Sequence, residues 1–392
     1  SDWSSDVCSS DLKFSGGRIS SPSAGRWEAW CGGGYGPERS QRAHSRTRGL
    51  RSSECLLQNR QRMAAKLTYK EAGVDTVKAA ALVGDIRTHV QRTQKQRQLM
   101  GAFGLFAAAY ELKGYKKPVI VTGCDGVGTK LEVQLQYDRI EDAGKDLVAM
   151  SVNDILTTGG DPLMFLDYIG LAQLHEERVT RLVAGMADYL EECGCILAGG
   201  ETAEMPGVVP EGIVELSGFC IGCVEKDEMV DPSSIGEGDV LIGYRSDGVH
   251  ANGWSLIRRV LADHGDEFSE EDVHALLPPT RLYHDVVSAL KEAGVRAKAM
   301  AHITGGGLPE NLERLFDGLG CALNVPEWEN EAVQKLLRHV DDESCWHTFN
   351  MGIGWVVIVD QAQAESAVAA GPGGVVLGAV DGTPGVRGTS KR

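Results

Sequence analysis

No stretch of this 392-residue chain approaches the roughly 18 consecutive apolar residues that a membrane-crossing helix needs. The longest apolar run, residues 352–359, is only strand-sized. A membrane partner is therefore not expected. A basic excess is missing too: 39 Lys and Arg face 55 Asp and Glu, for a net charge of −16. That disfavours a nucleic-acid binder, which needs a cationic face to displace counterions. Phosphates can still be held locally by amides, lysines and metal ions, so the global sign leaves the site open. The ten cysteines show no disulfide-framework spacing. Several sit in apolar runs, where thiols act as small hydrophobes, and this predicts a reducing cytoplasm. Cys220 and Cys223 form a CxxC, but inside a strand-like run that sends their side chains to opposite faces, so it does not read as a metal knuckle.

What is present divides unevenly. Residues 1–62 are rich in Ser, Arg and Gly and hold ten Lys and Arg against six Asp and Glu, while the remainder carries about −20. This segment has little periodicity and predicts a disordered or non-native leader, with Met63 as a natural start. The rest predicts two domains, 63–231 and 232–392, divided at the turn cluster Asp231-Pro232-Ser233-Ser234. In the first, Asp75 is placed to cap a helix. Strands are expected at 118–122, 162–169, 195–198 and 213–224, with helices at 144–156 and 177–193. In the second, strands are expected at 239–244, 354–360 and 375–380, and helices at 253–264 and 308–315. The tail after Gly382 reads as loose. Strands and helices alternate without a strict βαβ rhythm, which points to an α+β fold.

Four constellations carry chemistry. Residues 119–130 run from a strand into Gly123, Gly126 and Gly128, with Asp125, Thr129 and Lys130 beside them. Glycines let amides approach a phosphate, Lys supplies charge and Asp suits Mg²⁺. The order of Thr129 and Lys130 departs from a Walker A loop, and an ordinary glycine turn also fits. Asn153 and Asp154 lie in an apolar helix, where an unpaired carboxylate is costly unless it meets a cation or a solvated face. Gly199-Gly200-Glu201 presents a carboxylate at a strand end; a plain loop acid fits as well. Asp125, Asp154 and Glu201 together suit Mg²⁺ that keeps water and phosphate ligands. In the second half, 246–253 and 301–307 are two Gly-rich helix entries, natural seats for a substrate phosphate. They carry His250 and Asn252, and Thr304, Gly305, Gly306 and Gly307. His250 is either a substrate contact or a structural histidine.

Seven strings fall in one order: 69–75, 125–130, 152–154, 199–207, 250–253, 302–307 and 348–354. Together they make the chain resemble the AIR synthetase family from Leu67 to about Val380. The resemblance implies an N-terminal α+β domain that dimerises through a shared β-barrel, and a C-terminal α/β domain. It implies a cytoplasmic homodimer, with active sites near the interface. The implied activity is ATP-dependent closure of formylglycinamidine ribonucleotide to aminoimidazole ribonucleotide. By that resemblance, Asp125, Asp154 and Glu201 hold Mg²⁺·ATP with Asn153 in support, Gly126, Gly128, Thr129 and Lys130 contact ATP, and Asp125, Asp154 and Lys130 serve catalysis. His250, Asn252 and the loop from Thr304 to Gly307 hold the ribonucleotide. Ala102 and Leu105 break the family's doubled glycines around 100–106. The competing readings are a thiamine-monophosphate kinase or selenide, water dikinase type, or a nucleotide-binding protein without turnover.

Overall fold

Two β-sheets organise the chain. The computed structural model describes residues 76–101 and 106–390. The leader 1–62, the cap at Asp75 and the glycine departures at Ala102 and Leu105 lie outside these residues. Every described residue belongs to one unit, Tyr69–Arg392.

The first half contains α1 (Thr76–Arg92), β1 (Pro118–Gly126), α2 (Lys130–Gln136), α3 (Ile140–Thr157), β2 (Asp161–Leu171), α4 (Glu176–Glu192), β3 (Ile196–Glu204) and β4 (Val214–Glu225). Its sheet has the order β1-β4-β2-β3. β4 runs antiparallel to both β1 and β2, while β2 and β3 are parallel and joined through α4. Such a parallel pair needs a crossover, and the helix supplies it. One face of the sheet carries α3 and α4. Leu147, Val152 and Ile155 of α3 and Phe165 and Ile169 of β2 are essentially fully buried there. Each such side chain contributes on the order of 1.5–3 kcal/mol through loss of apolar surface from water.

The second half contains β5 (Val240–Arg245), α5 (Trp254–Asp263), α6 (Glu270–Leu276), α7 (His284–Glu292), β6 (Ala299–His302), α8 (Gly307–Glu313), β7 (Gly320–Val325), α9 (Glu331–Leu337), α10 (Asp342–Thr348), β8 (Ile353–Val359), α11 (Ala364–Ala370), β9 (Gly374–Asp381) and β10 (Gly385–Ser390). Its sheet has the order β10-β7-β9-β5-β8-β6. All seven residues of β8 are buried, as a continuous apolar run requires when both sheet faces are covered. Its alternation feeds two cores. Trp355, Val357 and Val359 join the apolar cluster that includes α3 and α4, whereas Val356 and Ile358 join a cluster confined mainly to the second half.

The expected α+β architecture is present, with three local corrections. The tail is not loose: β10 pairs in parallel with β7 from Gly385↔Gly320 to Ser390↔Val325. β3 does not stop at Ala198 but continues through Gly199, Gly200 and Glu201, held by backbone pairing to β2. Residues 130–136, which show no clear period, form α2. In each case backbone pairing or packing decides, and side-chain pattern is silent.

Candidate active site

A row of residues crosses the first sheet in register. Asp125 of β1 pairs with Gly218 of β4, Gly218 with Asp167 of β2, and Asp167 with Gly200 of β3. Directly opposed residues face the same side, so the two carboxylates share a face about 10 Å apart, with a glycine between them. Gly200 makes room for the second acid: a β-carbon there would fall 2.3 Å from Asp167 Oδ1. Burial pushes the Asp125 carboxyl up to about 6. The Gly126 N–H, donating at 2.7 Å, opposes the rise, and the nearby Asp154 charge adds to it. Burial pushes Asp167 up to about 7, with Glu201 adding repulsion. No lysine or arginine is among the groups acting on either acid. A buried carboxylate, Asp167, and a partly buried one, Asp125, without a lysine or arginine partner are costly as they stand and suit a bound cation. Asp167 escapes the motif reading. Its signal is an acid between Leu166 and Tyr168 in the apolar middle of a strand, the same anomaly that marks Asp154.

Asp154, from α3, meets the second half. Its Oδ1 lies 3.2 Å from His302 Nδ1, and the carboxylate is still 45% exposed while the histidine is 1% exposed. His302 Nε2 lies 3.3 Å from Asn153 Nδ2. An amide nitrogen only donates, so Nε2 accepts and Nδ1–H donates to Asp154. The fully buried Asn153 also donates to the Arg281 carbonyl at 2.9 Å and accepts from the Tyr283 N–H at 3.0 Å. It is a clamp between the halves, with no surface left for ATP.

The two Gly-rich loops converge beside this clamp. His250 is fully buried with φ of 62°. Its ring lies 6.4 Å from His302 and 6.1 Å from Tyr283, centroid to centroid. Gly354 permits this packing, because a β-carbon there would sit 2.3 Å from His250 Cε1 and 2.1 Å from the Tyr283 hydroxyl. Burial lowers the basicity of His250 well below the ordinary range, so the ring is neutral. The structural alternative for His250 therefore describes its place: it backs His302 and offers no surface to a ligand. Asn252 has a buried Nδ2 without a partner, and its Oδ1 lies 3.7 Å from where a Gly305 β-carbon would stand. Thr129 and Ser255 bring their hydroxyls within 3.1 Å, joining the first-half glycine loop (Gly126, Gly128) to the start of α5. Asn311, buried on α8, donates to the carbonyls of Thr304, Gly305 and Gly307 at 3.3, 3.1 and 2.7 Å and so fixes that loop. At Gly306, however, the Glu310 carboxylate closes in, 2.5 Å from a virtual β-carbon. A negative charge there weakens the loop as a phosphate seat. The start of α5 has no acid in its first turn.

Two expected ligands are elsewhere. Lys130 is fully buried; its ammonium lies 2.8 Å from Asp146 Oδ2 and 3.0 Å from Oδ1, and donates to the Pro278 carbonyl at 2.7 Å. Asp146 also accepts from the Thr280 N–H and hydroxyl, both at 2.6 Å, and from Gln134 at 2.7 Å. Lys130 opens α2 just after the Gly128 turn, and its side chain runs inward onto Asp146 and the Pro278 carbonyl. Glu201 is exposed on the edge strand opposite β1. Three strand spacings, about 14 Å, separate those edges. Asp125, Asp154 and Glu201 accordingly do not bring their oxygens within 4.8 Å of one another.

Comparison with known proteins follows the two halves. Residues 107–224 match the family model described as AIR synthase related protein, N-terminal domain, and residues 236–390 match its C-terminal domain. The chain is 42% identical over 315 residues to a phosphoribosylformylglycinamidine cyclo-ligase of Caldanaerobacter subterraneus, covering 77% of this chain and 93% of the relative. It is 45% identical over 315 residues to the enzyme of that name from Aromatoleum aromaticum, covering 77% and 90%. Its fold resembles thiamine-monophosphate kinase of Stenotrophomonas maltophilia, with a TM-score of 0.59 and 18% identity over 79% of this chain and 95% of that one. It also resembles the hydrogenase maturation protein HypE in complex with ATP, with a TM-score of 0.56 and 18% identity over 77% and 86%.

Proposed function

This chain belongs to the AIR synthetase family, the phosphoribosylformylglycinamidine cyclo-ligases, and from that premise we propose how its residues carry out the ring closure. The reaction joins formylglycinamidine ribonucleotide and ATP to give aminoimidazole ribonucleotide, ADP and phosphate. A formamide oxygen is a poor leaving group. Transfer of the γ-phosphoryl group to it creates a good one; the substrate's amidine nitrogen then attacks the same carbon, and phosphate departs. The protein's task is chiefly to place two phosphate-bearing ligands and to balance their charge. The likeness to a thiamine-monophosphate kinase is one of fold at 18% identity. The observation that carries the cyclo-ligase reading is 42% identity over 93% of a named cyclo-ligase.

We assign the triphosphate to the face formed by Asp125, Asp167 and Asp154. Mg²⁺, when bound, would neutralise phosphate charge there. Asp125, partly buried, and Asp167, buried, fit it because neither has a lysine or arginine beside it, and their separation suits distinct positions along a phosphate chain rather than one cage. Glu201 acts at a distance, through its charge on Asp167. Gly126, Gly128 and Thr129 line the approach. The ribonucleotide is assigned to the start of α5, where the unpartnered Asn252 amide and Ser255 stand, with Thr304 and Gly305 alongside and Gly306 and Gly307 shaping the loop. Residues 63–231 and 232–392 form the two proposed domains. In an assay of the full chain with Mg²⁺·ATP, ADP should appear only with formylglycinamidine ribonucleotide and in equal amount to aminoimidazole ribonucleotide. Equal ADP release without the ribonucleotide would remove the cyclo-ligase reading.

We further propose a homodimer built on the first sheet. The face of that sheet opposite α3 and α4 leaves Ile120 56% and Phe219 44% exposed. Open apolar strands of this kind seek a partner. Phe219→Glu should give a monomer in light scattering and lower turnover at least about tenfold; a dimeric variant would exclude this face. The seven described cysteines are all free thiols, which suits the cytoplasm. Among the described residues no helix is long and apolar enough to cross a membrane.

A further inference from the structure

The far end of α5 carries a second arrangement that the ring closure does not use. His264 ends the helix, its N–H donating to the Val260 carbonyl at 2.8 Å. A short 3₁₀ turn, Gly265–Glu267, follows, and the Glu267 N–H donates to the His264 carbonyl at 3.0 Å. That turn brings His264 Nδ1 to 3.3 Å from Glu267 Oε1. From 72 residues further along, just after α9, His339 places Nε2 3.2 Å from the other oxygen of the same carboxylate. Its own N–H is tied to the Leu336 carbonyl at 3.0 Å. The two imidazoles stack with centroids 4.0 Å apart and planes 28° off parallel. His339 is 15% exposed and lies against the Phe268 ring at 6.1 Å. Among the described residues this is the one set of three His, Cys, Asp or Glu groups whose ligand atoms all lie within 4.8 Å of one another.

We propose that His264, Glu267 and His339 form a binding site for a first-row transition-metal ion of the zinc class. Tetrahedral zinc holds nitrogen and oxygen ligands at about 2.0–2.2 Å, which spaces neighbouring ligand atoms by roughly 3.4 Å. The two observed separations from the carboxylate are 3.2 and 3.3 Å, so an ion can enter between these groups with small side-chain shifts. Two imidazole nitrogens and one carboxylate oxygen are borderline ligands that favour Zn²⁺, Co²⁺ or Ni²⁺. Mg²⁺ prefers an all-oxygen shell and belongs to the acidic row instead. Three protein ligands leave a fourth position for water. The backbone of each ligand is held by a helix end or turn, so the site is largely formed before the ion arrives. Bound metal would staple the end of α5 to the end of α9 and stabilise the second half. α5 starts at the Asn252 loop, so the staple also anchors the helix that carries the ribonucleotide seat.

The test uses the full chain, stripped with a chelator, desalted and free of nucleotide. Titration with Co²⁺ should show one equivalent bound, with the visible bands of a four-coordinate ion, and Zn²⁺ should displace it. Stoichiometric Zn²⁺ should raise the melting temperature by several degrees, reversibly on chelation. His264→Gln and Glu267→Gln should each weaken Co²⁺ binding at least about tenfold and abolish the thermal shift, since removal of a ligand exceeds the effect of an outer-sphere change. Both residues are more than 40% exposed, so the metal-free variants should melt like the wild type. Bands that persist unchanged in both variants would place the ion elsewhere, on thiols for example, and overturn the proposal. So would a wild-type chain that binds no Co²⁺ at tens of micromolar. Variants that melt lower without metal, with no metal-dependent difference from wild type, would make the triad a plain hydrogen-bonded cluster and equally end it.

Discussion

Asp125→Asn and Asp167→Asn, made separately, should each lower turnover by a factor on the order of 10²–10³ and weaken Mg²⁺·ATP binding, without loss of fold. The row across the first sheet places both carboxylates on one face with no lysine or arginine to balance them. Their effect on stability has a definite sign. Both folded pKa values, about 6 and about 7, lie above the ordinary 3.8. The folded state therefore favours the protonated acids, and this contribution is full below about pH 4 and is lost as pH rises through 6 to 7. Without ligand, the Asn variants should melt higher than wild type at pH 8, and the gap should close toward pH 4. With Mg²⁺·ATP the order should invert, because the cation restores balance only where the carboxylate remains. Wild-type affinity for Mg²⁺·ATP should fall as pH is lowered from 8 to 6, since protons compete for the same oxygens. Calorimetric titration at several pH values measures this. Unchanged ATP affinity in Asp167→Asn would remove that residue from the site.

Lys130→Met should act on stability first and on ATP hardly at all. Its ammonium is fully buried against Asp146 and the Pro278 carbonyl. Burial depresses its basicity and Asp146 offsets part of that, so the ammonium depends on its contact with Asp146. Removing one partner strands the other, at a cost of about 3–5 kcal/mol. For a chain of this size that is a drop of roughly 10 °C in melting temperature. Below that transition, the ATP dissociation constant of the folded variant should stay within about threefold of wild type. The Thr280 and Gln134 hydrogen bonds to Asp146 cushion the loss but carry no positive charge. A variant that melts normally and loses ATP would show that Lys130 turns outward to a phosphate after all.

These two predictions mark where local sequence stops being informative. Periodicity identifies α4 through Leu182, Val183, Met186 and Leu190, and β-branched runs identify β1 and β8, because each reports burial within one element. The glycine-and-acid strings identify Asp125 and Asp154 because a carboxylate in an apolar setting is an energetic anomaly visible without coordinates. Family membership is legible for the same reason: seven strings in order leave little freedom. Convergence is different. The sheet order β1-β4-β2-β3 sends Glu201 to the edge farthest from Asp125, and places Asp167, outside the quoted strings, two strands from it. Lys130 looks like a phosphate ligand until the turn at Gly128 rotates it onto Asp146, sixteen residues away on α3. His250 and Asn153, both in motifs, prove to be supports because His302, Tyr283 and Arg281 from distant segments cover them. The amino-acid sequence by itself determined which residues are anomalous and which family they mark. Only the tertiary structure decided which of them share a face, because strand register and helix rotation depend on contacts between segments far apart in the chain.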